Sequence, residues 1–207
     1  MALVAALKTL LHCYLGQDDL RVATLVANRN RPGTAGIIGP LANTVILRTN
    51  LGGEPSRQEV MRRVRATTLA AFANQDLPFE ELVETLERER ALKPAALSQV
   101  MITLQNATLR RMESSGCTLT LEEANPSMLM PLATITTFDV ILMLQESIHG
   151  LLGSCVYKPH LFDVMTIDRL LRDFQSVLEQ MVTQPERPIS EIRVPLNEKP
   201  SSPPLRA

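Results

Sequence analysis

Short apolar runs alternate along this chain with longer segments in which apolar residues recur every three or four positions. Runs of four to eight residues rich in Val, Ile and Leu are typical of buried strands, whereas the three-to-four spacing indicates one buried face of a helix. This alternation, without an internal repeat, predicts the α/β class, with a mixed sheet of about five or six strands packed against helices. The predicted strands are residues 20–27, 44–49, 99–106, 118–122, 138–146 and 151–158.

Helix signals fall between and around these strands. An amphipathic stripe from Leu3 to Tyr14 predicts a first helix, and Ser56 with Glu59 forms a capping box that predicts the start of a second. Pro78 suits the first turn of a third helix, and a stripe ending at Met181 predicts a last one over 166–182. For the second helix we predict a buried face of Val60, Val64, Thr67, Ala71 and Phe72, and for the third an apolar stripe of Phe79, Leu82, Val83 and Leu86.

The length of 207 residues predicts one domain, which we place at residues 1–194. Six of the 14 prolines fall in the last 23 residues. Because proline fixes φ and removes a backbone donor, we expect residues 195–207 to form a Pro-rich linker or tail.

Charge and composition exclude several kinds of partner. The formal net charge is −1 and only 3% of the residues are aromatic, so neither a basic field nor a set of stacking rings is available for nucleic acid. No segment reaches the roughly 18 consecutive apolar residues of a membrane span. We therefore expect no nucleic-acid partner and no membrane association.

The reactive residue types form no known catalytic arrangement. Cys13, Cys117 and Cys155 are an odd, widely spaced set without zinc-ligand spacing, which predicts reduced thiols, no metal site and a cytoplasmic location. The histidines at 12, 149 and 160 are isolated, and no nucleophile elbow, P-loop or zinc-protease motif is present. From residue chemistry alone, the chain is a scaffold without a complete active site, and we assign no catalytic residue.

Six segments, in this order, nevertheless match a family pattern. The chain resembles the C-terminal lobe of condensation domains from non-ribosomal peptide synthetases, and this resemblance covers residues 1 to about 194. It depends on VANRN (26–30), IIGPLANTVILR (37–48), NQDLPFEELVE (74–84), SQVMITLQN (98–106), FDVILMLQE (138–146) and YKPHLFD (157–163).

The resemblance implies a chloramphenicol-acetyltransferase-like lobe, one half of a V-shaped domain that joins two carrier-bound substrates through an amide bond. The family's catalytic His-His-x-x-x-Asp-Gly motif belongs to the N-terminal lobe, and no two histidines are adjacent here. We therefore expect a half-domain that is inactive alone. The implied partners are an N-terminal lobe, peptidyl carrier proteins and an adjoining adenylation domain. Substrates are expected on phosphopantetheine arms, with no cofactor bound directly.

Two groups of site residues follow from the resemblance. The residues that match the substrate-tunnel and motif positions are Asn43, Thr44, Arg48, Gln75, Asp76, Pro78, Phe79 and Glu80. A weaker carrier-docking set consists of Arg57, Arg62, Arg63 and Arg65, which as helix arginines are otherwise expected to face water. For three of the motif residues, a structural role competes: Asn43 as a partner of buried backbone groups, Asp76 as a helix cap and Phe79 as a core residue.

Three hypotheses about function remain open from the sequence. The first is half of an amide-forming acyltransferase, and the second is a non-catalytic module that recruits carrier proteins or other parts of a synthetase. The third is an independent enzyme that uses His149 or His160.

Overall fold

A computed structural model of the chain describes residues 1–34, 36–89, 97–105, 112–114, 117–119, 137–147 and 150–194. The helices are α1 (Ala2–Leu15), α2 (Arg57–Ala73), α3 (Phe79–Arg88) and α4 (Val164–Thr183). The strands are β1 (Asp19–Val26), β2 (Asn43–Asn50), β3 (Val100–Gln105), β4 (Met112–Ser114), β5 (Cys117–Leu119), β6 (Val140–Ser147) and β7 (Gly150–Tyr157).

Local sequence accounts for the main helix boundaries. Gly16, in the left-handed region with φ of 64°, ends α1 and donates its N–H to the carbonyl of His12. The Ser56 hydroxyl accepts from the N–H of Glu59 and starts α2, as the capping box predicts. The Glu59 carboxylate does not complete the box, because it pairs with Arg62 and Arg63 instead.

Five strands form one mixed sheet in the order β2-β1-β3-β6-β7. β1, β3 and β6 are parallel, while β2 pairs antiparallel with β1 and β7 antiparallel with β6. This confirms the predicted fold class, and the predicted strands of this sheet are correct to within two residues. The predicted strand 118–122 overlaps β5, which pairs with β4 outside the main sheet, and its residues 120–122 lie outside the described ones.

The main core lies between one face of the sheet and helices α1, α2 and α4. Val22 and Ile102 on the sheet pack with Leu10, Val60 and Phe174 of the helices. Burying each such side chain contributes about 1.5–3 kcal/mol relative to leaving it exposed. The opposite sheet face has its own smaller cluster, formed by Ala23, Met101, Phe138, Ile141 and Val156. The predicted core stripe of the last helix is confirmed by its buried residues Ile167, Leu170, Phe174, Val177 and Met181.

A lysine is buried within this core. Lys8 on α1 is fully buried, and its Nζ donates to the Leu47 carbonyl at 2.7 Å and to the Thr49 Oγ1 at 2.6 Å, with the Leu20 carbonyl at 3.4 Å. Burial lowers the pKa of Lys8 to about 7, and the more distant negative charge of Asp19 opposes this shift. The helical spacing of the sequence gives no indication of this buried cation.

Arg57 is a second buried cation, and the prediction that it faces a carrier protein is wrong. Its side chain is 1% exposed, and its Nη1 donates to the carbonyl of Gln180 at 2.8 Å and to Gln184. These carbonyls are at the C-terminal end of α4, where a cation is favourable. Arg57 therefore joins the start of α2 to the end of α4.

The segment after α4 continues this connection. The backbone N–H of Arg57 donates to the Arg187 carbonyl, and the N–H of Ile189 donates to the Pro55 carbonyl. Ile189 and Ile192 are buried in the main core. The packed domain thus includes the first two of the C-terminal prolines, and the predicted tail 195–207 lies outside the described residues.

Candidate functional site

One edge of the sheet brings most of the predicted motif residues together. The parallel strands β1 and β3 end at this edge with Val26 and Gln105, and β2 begins there because Asn43 pairs with Val26. In open α/β sheets, ligand crevices lie outside the carboxyl ends of the strands. We call this side of the molecule the carboxyl edge.

Asn43 holds the segment between α2 and α3 at the carboxyl edge. Its Nδ2 donates to the carbonyls of Gln75 at 2.8 Å and Leu77 at 2.7 Å. Its Oδ1 accepts from the N–H of Thr44 at 2.9 Å and from the N–H of Phe79 at 3.1 Å. The four bonds use both donors of the amide and both lone pairs of its oxygen. The sequence left open whether Asn43 lines a substrate tunnel or satisfies backbone groups, and this geometry favours the structural role.

The bond from Phe79 N–H also explains how α3 begins. Pro78 is the residue before the helix, with no side-chain cap of its own, and Asn43 supplies from β2 the acceptor that a capping residue would supply locally. Asp76 is therefore not the helix cap, and that prediction is wrong. Its carboxylate instead lies 2.8 Å from the Nη2 of Arg31.

Arg31 belongs to a loop, residues 28–34 and 36–42, that leaves and rejoins the carboxyl edge. Within it, the Arg29 Nη1 donates to the carbonyls of Thr34 at 2.9 Å and Ile37 at 2.6 Å, and its Nη2 donates to the Gly39 carbonyl at 3.0 Å. One guanidinium thus shapes the loop, and the Arg31–Asp76 ion pair ties it to the α2–α3 connection. The motif spacing in the sequence predicted neither the hydrogen bonds of Arg29 within the loop nor the ion pair of Arg31.

The prediction that Phe79 lies in the core is also wrong. Phe79 and the other members of its stripe, Leu82, Val83 and Leu86, are only half-buried, and none of the residues of α3 is fully buried. The apolar stripe of α3 is confirmed, but the other described residues bury its side chains only partly. Glu80 is exposed on the charged face of the helix, as expected for a solvated surface.

An open groove of about 740 Å³ lies at the carboxyl edge, between the first turn of α1 and the last turn of α2. It is lined by the buried Val26 and Ile102 and by the partly exposed Phe72 and Leu104, and the motif residue Gln75 lines it as well. Phe72 is 39% exposed, which corrects its predicted place in the buried face of α2. The lining of the groove is mostly apolar.

Arg48 lies away from this groove, near the other end of β2. Its guanidinium makes a bidentate pair with Asp19 on β1, with distances from 2.8 to 3.0 Å. The hydrogen bonds from Arg48 hold the pKa of the Asp19 carboxyl below its usual range. Arg48 is five positions further along the strand than Asn43, which corresponds to about 16 Å at the usual rise per residue. The structure therefore does not bring Arg48 together with the rest of the motif set.

The remaining carrier-docking candidates lie on the first half of α2. Glu59 pairs with Arg62 at 2.6 Å and with Arg63 at 2.9 Å, and these bonds lower the pKa of Glu59 to about 2. Arg63 also donates to the carbonyls of Asn50 and Gly52, so it fixes the loop before the helix. Arg62 and Arg65 are exposed.

The described histidines and thiols lie apart from the groove. His12 is in the last turn of α1, whereas the groove meets the first turn of that helix, and its Nδ1 is 2.9 Å from the Gln17 carbonyl. His160 is exposed beyond the far end of β7, and His149 lies outside the described residues. Cys13 and Cys155 are free and half-buried, and burial raises the pKa of Cys155 to about 12.

Two kinds of feature are absent from the described ranges. No group of three His, Cys, Asp or Glu side chains in them is placed to hold a metal ion. No helix in these ranges is long and apolar enough to cross a membrane.

Comparison with known proteins identifies the family. The sequence matches the family described as "Condensation domain" over residues 1–201. The chain belongs to the condensation-domain family of non-ribosomal peptide synthetases.

Similar sequences occur in large synthases. A linear gramicidin synthase of Brevibacillus parabrevis is 42% identical over 196 residues, which cover 95% of this chain and 4% of that protein. Surfactin synthase subunit 1 of Bacillus subtilis is 36% identical over 202 residues, covering 98% of this chain and 5% of that protein. The chain therefore spans only a small part of these relatives.

Solved structures agree with this family and its chloramphenicol-acetyltransferase-like fold. The X-domain in the complex of the X-domain and OxyB from teicoplanin biosynthesis has a TM-score of 0.73 at 26% identity, over 95% of this chain and 42% of that one. The four-domain non-ribosomal peptide synthetase AB3403 has a TM-score of 0.77 at 20% identity, over 93% of this chain and 15% of that one, and shows the fold alone.

Proposed function

We propose that this chain is the C-terminal lobe of a condensation domain and forms one wall of the site where an amide bond joins two carrier-bound acyl groups. One observation carries the proposal: 95% of the chain superposes on only 42% of a solved X-domain chain. The sequence also lacks adjacent histidines and hence the catalytic motif that the resemblance assigns to the other lobe.

The proposed reaction is the transfer of an acyl group from a thioester to an amine. The amine nitrogen of the aminoacyl acceptor attacks the thioester carbonyl of the donor, so that a C–N bond forms and the C–S bond breaks. The electron pair of that bond leaves with the donor phosphopantetheine sulfur, and the proton lost by the amine ends on the thiol. This lobe would bind and orient the two arms, since holding reactants in line can supply much of the rate.

The partners proposed for the chain are the N-terminal lobe, peptidyl carrier proteins and an adenylation domain. For carrier docking, Arg62 and Arg65 stay in the proposal because they are exposed cations on one helix, whereas buried Arg57 does not. The adenylation domain would be connected through residues 195–207. No cofactor is proposed for the chain itself, because the chemistry uses the two phosphopantetheine-bound substrates alone.

A non-catalytic interaction module is the second candidate. It is favoured by the Asn43 amide, whose donors and acceptors are all engaged with the backbone and Thr44, so that this motif residue has none left for a substrate. In this role, the chain would still bind carriers or another lobe, but no amide would form.

Reconstitution from two polypeptides tests the proposal. An N-terminal lobe with the His-His-x-x-x-Asp-Gly motif is mixed with this chain, an acyl-loaded donor carrier and an aminoacyl-loaded acceptor carrier, and intact-protein mass spectrometry monitors the acceptor. We expect peptidyl-carrier product with the intact lobe and none when alanine replaces the second histidine of its motif. Binding of both carriers and the lobe without product would favour the interaction module and contradict the proposed function.

A further inference from the structure

The loop at the carboxyl edge, residues 28–34 and 36–42, has little support from the rest of the chain. It leaves and rejoins the sheet at one place, because Val26 pairs with Asn43. Most of its described residues are exposed, including the apolar side chains of Ile37 at 48% and Ile38 at 101%. A segment with so few buried apolar contacts opens at a low cost in free energy.

The loop nevertheless has an internal framework. The guanidinium of Arg29 donates to the carbonyls of Thr34, Ile37 and Gly39. Thr34 in turn donates to the carbonyl of Arg31, through its N–H at 3.1 Å and through its hydroxyl at 2.7 Å. These bonds hold the backbone of Arg31 in a turn. We therefore expect the loop to move as one unit and to carry the Arg31 side chain with it.

One ion pair joins this unit to the rest of the molecule. The Nη2 of Arg31 lies 2.8 Å from the Oδ2 of Asp76, and the two side chains are 66% and 52% exposed. Within the ranges that the structure describes, no other hydrogen bond or ion pair connects the loop with a residue beyond it. An exposed ion pair changes the ratio of closed to open forms by up to about fivefold. The pair is therefore strong enough to bias the loop and weak enough to break.

The Asp76 side of the pair is fixed by Asn43. The Nδ2 of Asn43 donates to the carbonyls of Gln75 and Leu77, which are the residues on either side of Asp76. These bonds hold the backbone around Asp76 against the start of β2. A fixed carboxylate thus faces a cation on a segment that can move, and this combination gives Asn43 and Asp76 of the motif a shared role.

The pair also borders the groove. Ala27, which precedes the loop, and Gln75, which precedes Asp76, both line it. Breaking the pair therefore frees one of the two segments at this border. We infer that the Arg31–Asp76 ion pair is a latch that holds the loop at the carboxyl edge, and that the loop opens as a unit when the pair breaks. That an open loop admits carrier-bound substrates to this edge rests on the proposed function, whereas the latch does not.

Charge reversal tests the latch. In a chain whose three cysteines are replaced by alanine, spin labels at Ile38→Cys in the loop and Ala70→Cys on α2 report the position of the loop as a distribution of distances. Arg31→Asp and Asp76→Arg each bring like charges together. We expect each to move at least about three times as much of the distribution away from the main distance of the unreversed chain. The double variant, with both reversals, should restore that distance.

A second exposed ion pair supplies the matched control. Arg187 and Glu191 are 62% and 52% exposed, so Glu191→Arg reverses a comparable charge outside the loop and should leave the distances unchanged. Circular dichroism confirms that each variant is folded. Distances that neither single reversal changes, or a double variant that does not recover, would overturn the inference.

Salt provides a measurement that needs no substitution. The order parameters of the Gly33 and Ile38 N–H groups, from nuclear magnetic resonance relaxation, should fall from about 0.85 towards about 0.6 as NaCl rises from about 0.05 M to about 1 M, because salt screens an exposed pair. Order parameters that stay constant over this range would contradict the latch.

Amide formation separates the latch from the proposed function. If charge reversal opens the loop but the reconstituted lobes make no amide, the latch stands and the catalytic proposal fails. If the lobes make amide while the loop does not respond to charge reversal, the catalytic proposal stands and the latch is wrong. Amide formation that Asp76→Arg changes and the double variant restores would support both.

Discussion

The side-chain amide of Asn43 connects the start of β2 with residues 75–79, which lead from α2 into α3. We expect Asn43→Asp to destabilise the protein by about 2 kcal/mol, because a carboxylate would face the carbonyls of Gln75 and Leu77 where the amide now donates. Denaturant unfolding measures the change. Asn50→Asp is a matched control, since the Asn50 Oδ1 only accepts from the Gly52 N–H, a role that a carboxylate keeps. Equal stabilities of the two variants would contradict the organising role of Asn43.

The buried amine of Lys8 makes stability depend on pH. The pKa of Lys8 is about 7 in the folded protein, whereas an ordinary lysine, as in the unfolded chain, has a pKa of 10.5. Between these two pH values, the unfolded chain therefore binds more protons than the folded protein. Stability should therefore rise with pH from about 7 towards 10.5, with a slope of up to about 1.4 kcal/mol per pH unit, and the cost of the buried charge is fully present below pH 7.

Comparison with Lys8→Met isolates this contribution, because methionine keeps the length of the side chain without the charge. In urea unfolding from pH 6 to pH 9.5, the stability of the wild-type protein should rise relative to that of Lys8→Met as the pH increases. Asp19, the charged group that acts on Lys8, is common to both proteins. Parallel curves would show that Lys8 keeps its ordinary pKa.

At the level of elements, Arg57 acts as the connection between α2 and α4. Arg57→Ala should cost about 3 kcal/mol, because it leaves a cavity and removes the donor that the Gln180 and Gln184 carbonyls share. Arg65→Ala, eight residues further along the exposed side of the same helix, should change stability by less than about 0.5 kcal/mol. Thermal unfolding measures both. A negligible effect of Arg57→Ala would mean that the two helices do not depend on this contact.

Strands and helices were predictable because each has one dominant local signal. The Val- and Leu-rich runs gave the five strands of the main sheet, and the stripe from Ile167 to Met181 gave α4. The roles of individual side chains were predicted less well where a partner that is distant in sequence determines them. Asp76 pairs with Arg31 across 45 positions, and Arg57 contacts the end of a helix 123 residues later.

For the candidate site, too, the sequence predicted less where contacts between distant segments decide. Motif spacing placed Asn43, Thr44, Gln75, Asp76, Pro78, Phe79 and Glu80 in one set, and the segments that carry these residues meet at the carboxyl edge. It also included Arg48, which alternation along β2 and its pairing with Asp19 place elsewhere. The groove itself was missed because Phe72 has the spacing of a buried helix face, and only the tertiary structure shows that this face ends at an open surface.

Across the whole molecule, the described residues form a packed core on one side and a partly exposed apolar edge on the other. Helices α1, α2 and α4 pack on the sheet, whereas the groove at the carboxyl edge and the stripe of α3 remain partly exposed. Exposed apolar surface of this kind is expected where another protein surface binds.

The proposal that amide formation needs two lobes is decided by the rate of the reaction with and without the N-terminal lobe. Mass spectrometry of the acceptor carrier would compare three mixtures: this chain alone, the N-terminal lobe alone, and both together with loaded carriers. We expect peptidyl-carrier product only when both lobes are present. Product formed at the same rate by this chain alone would contradict it.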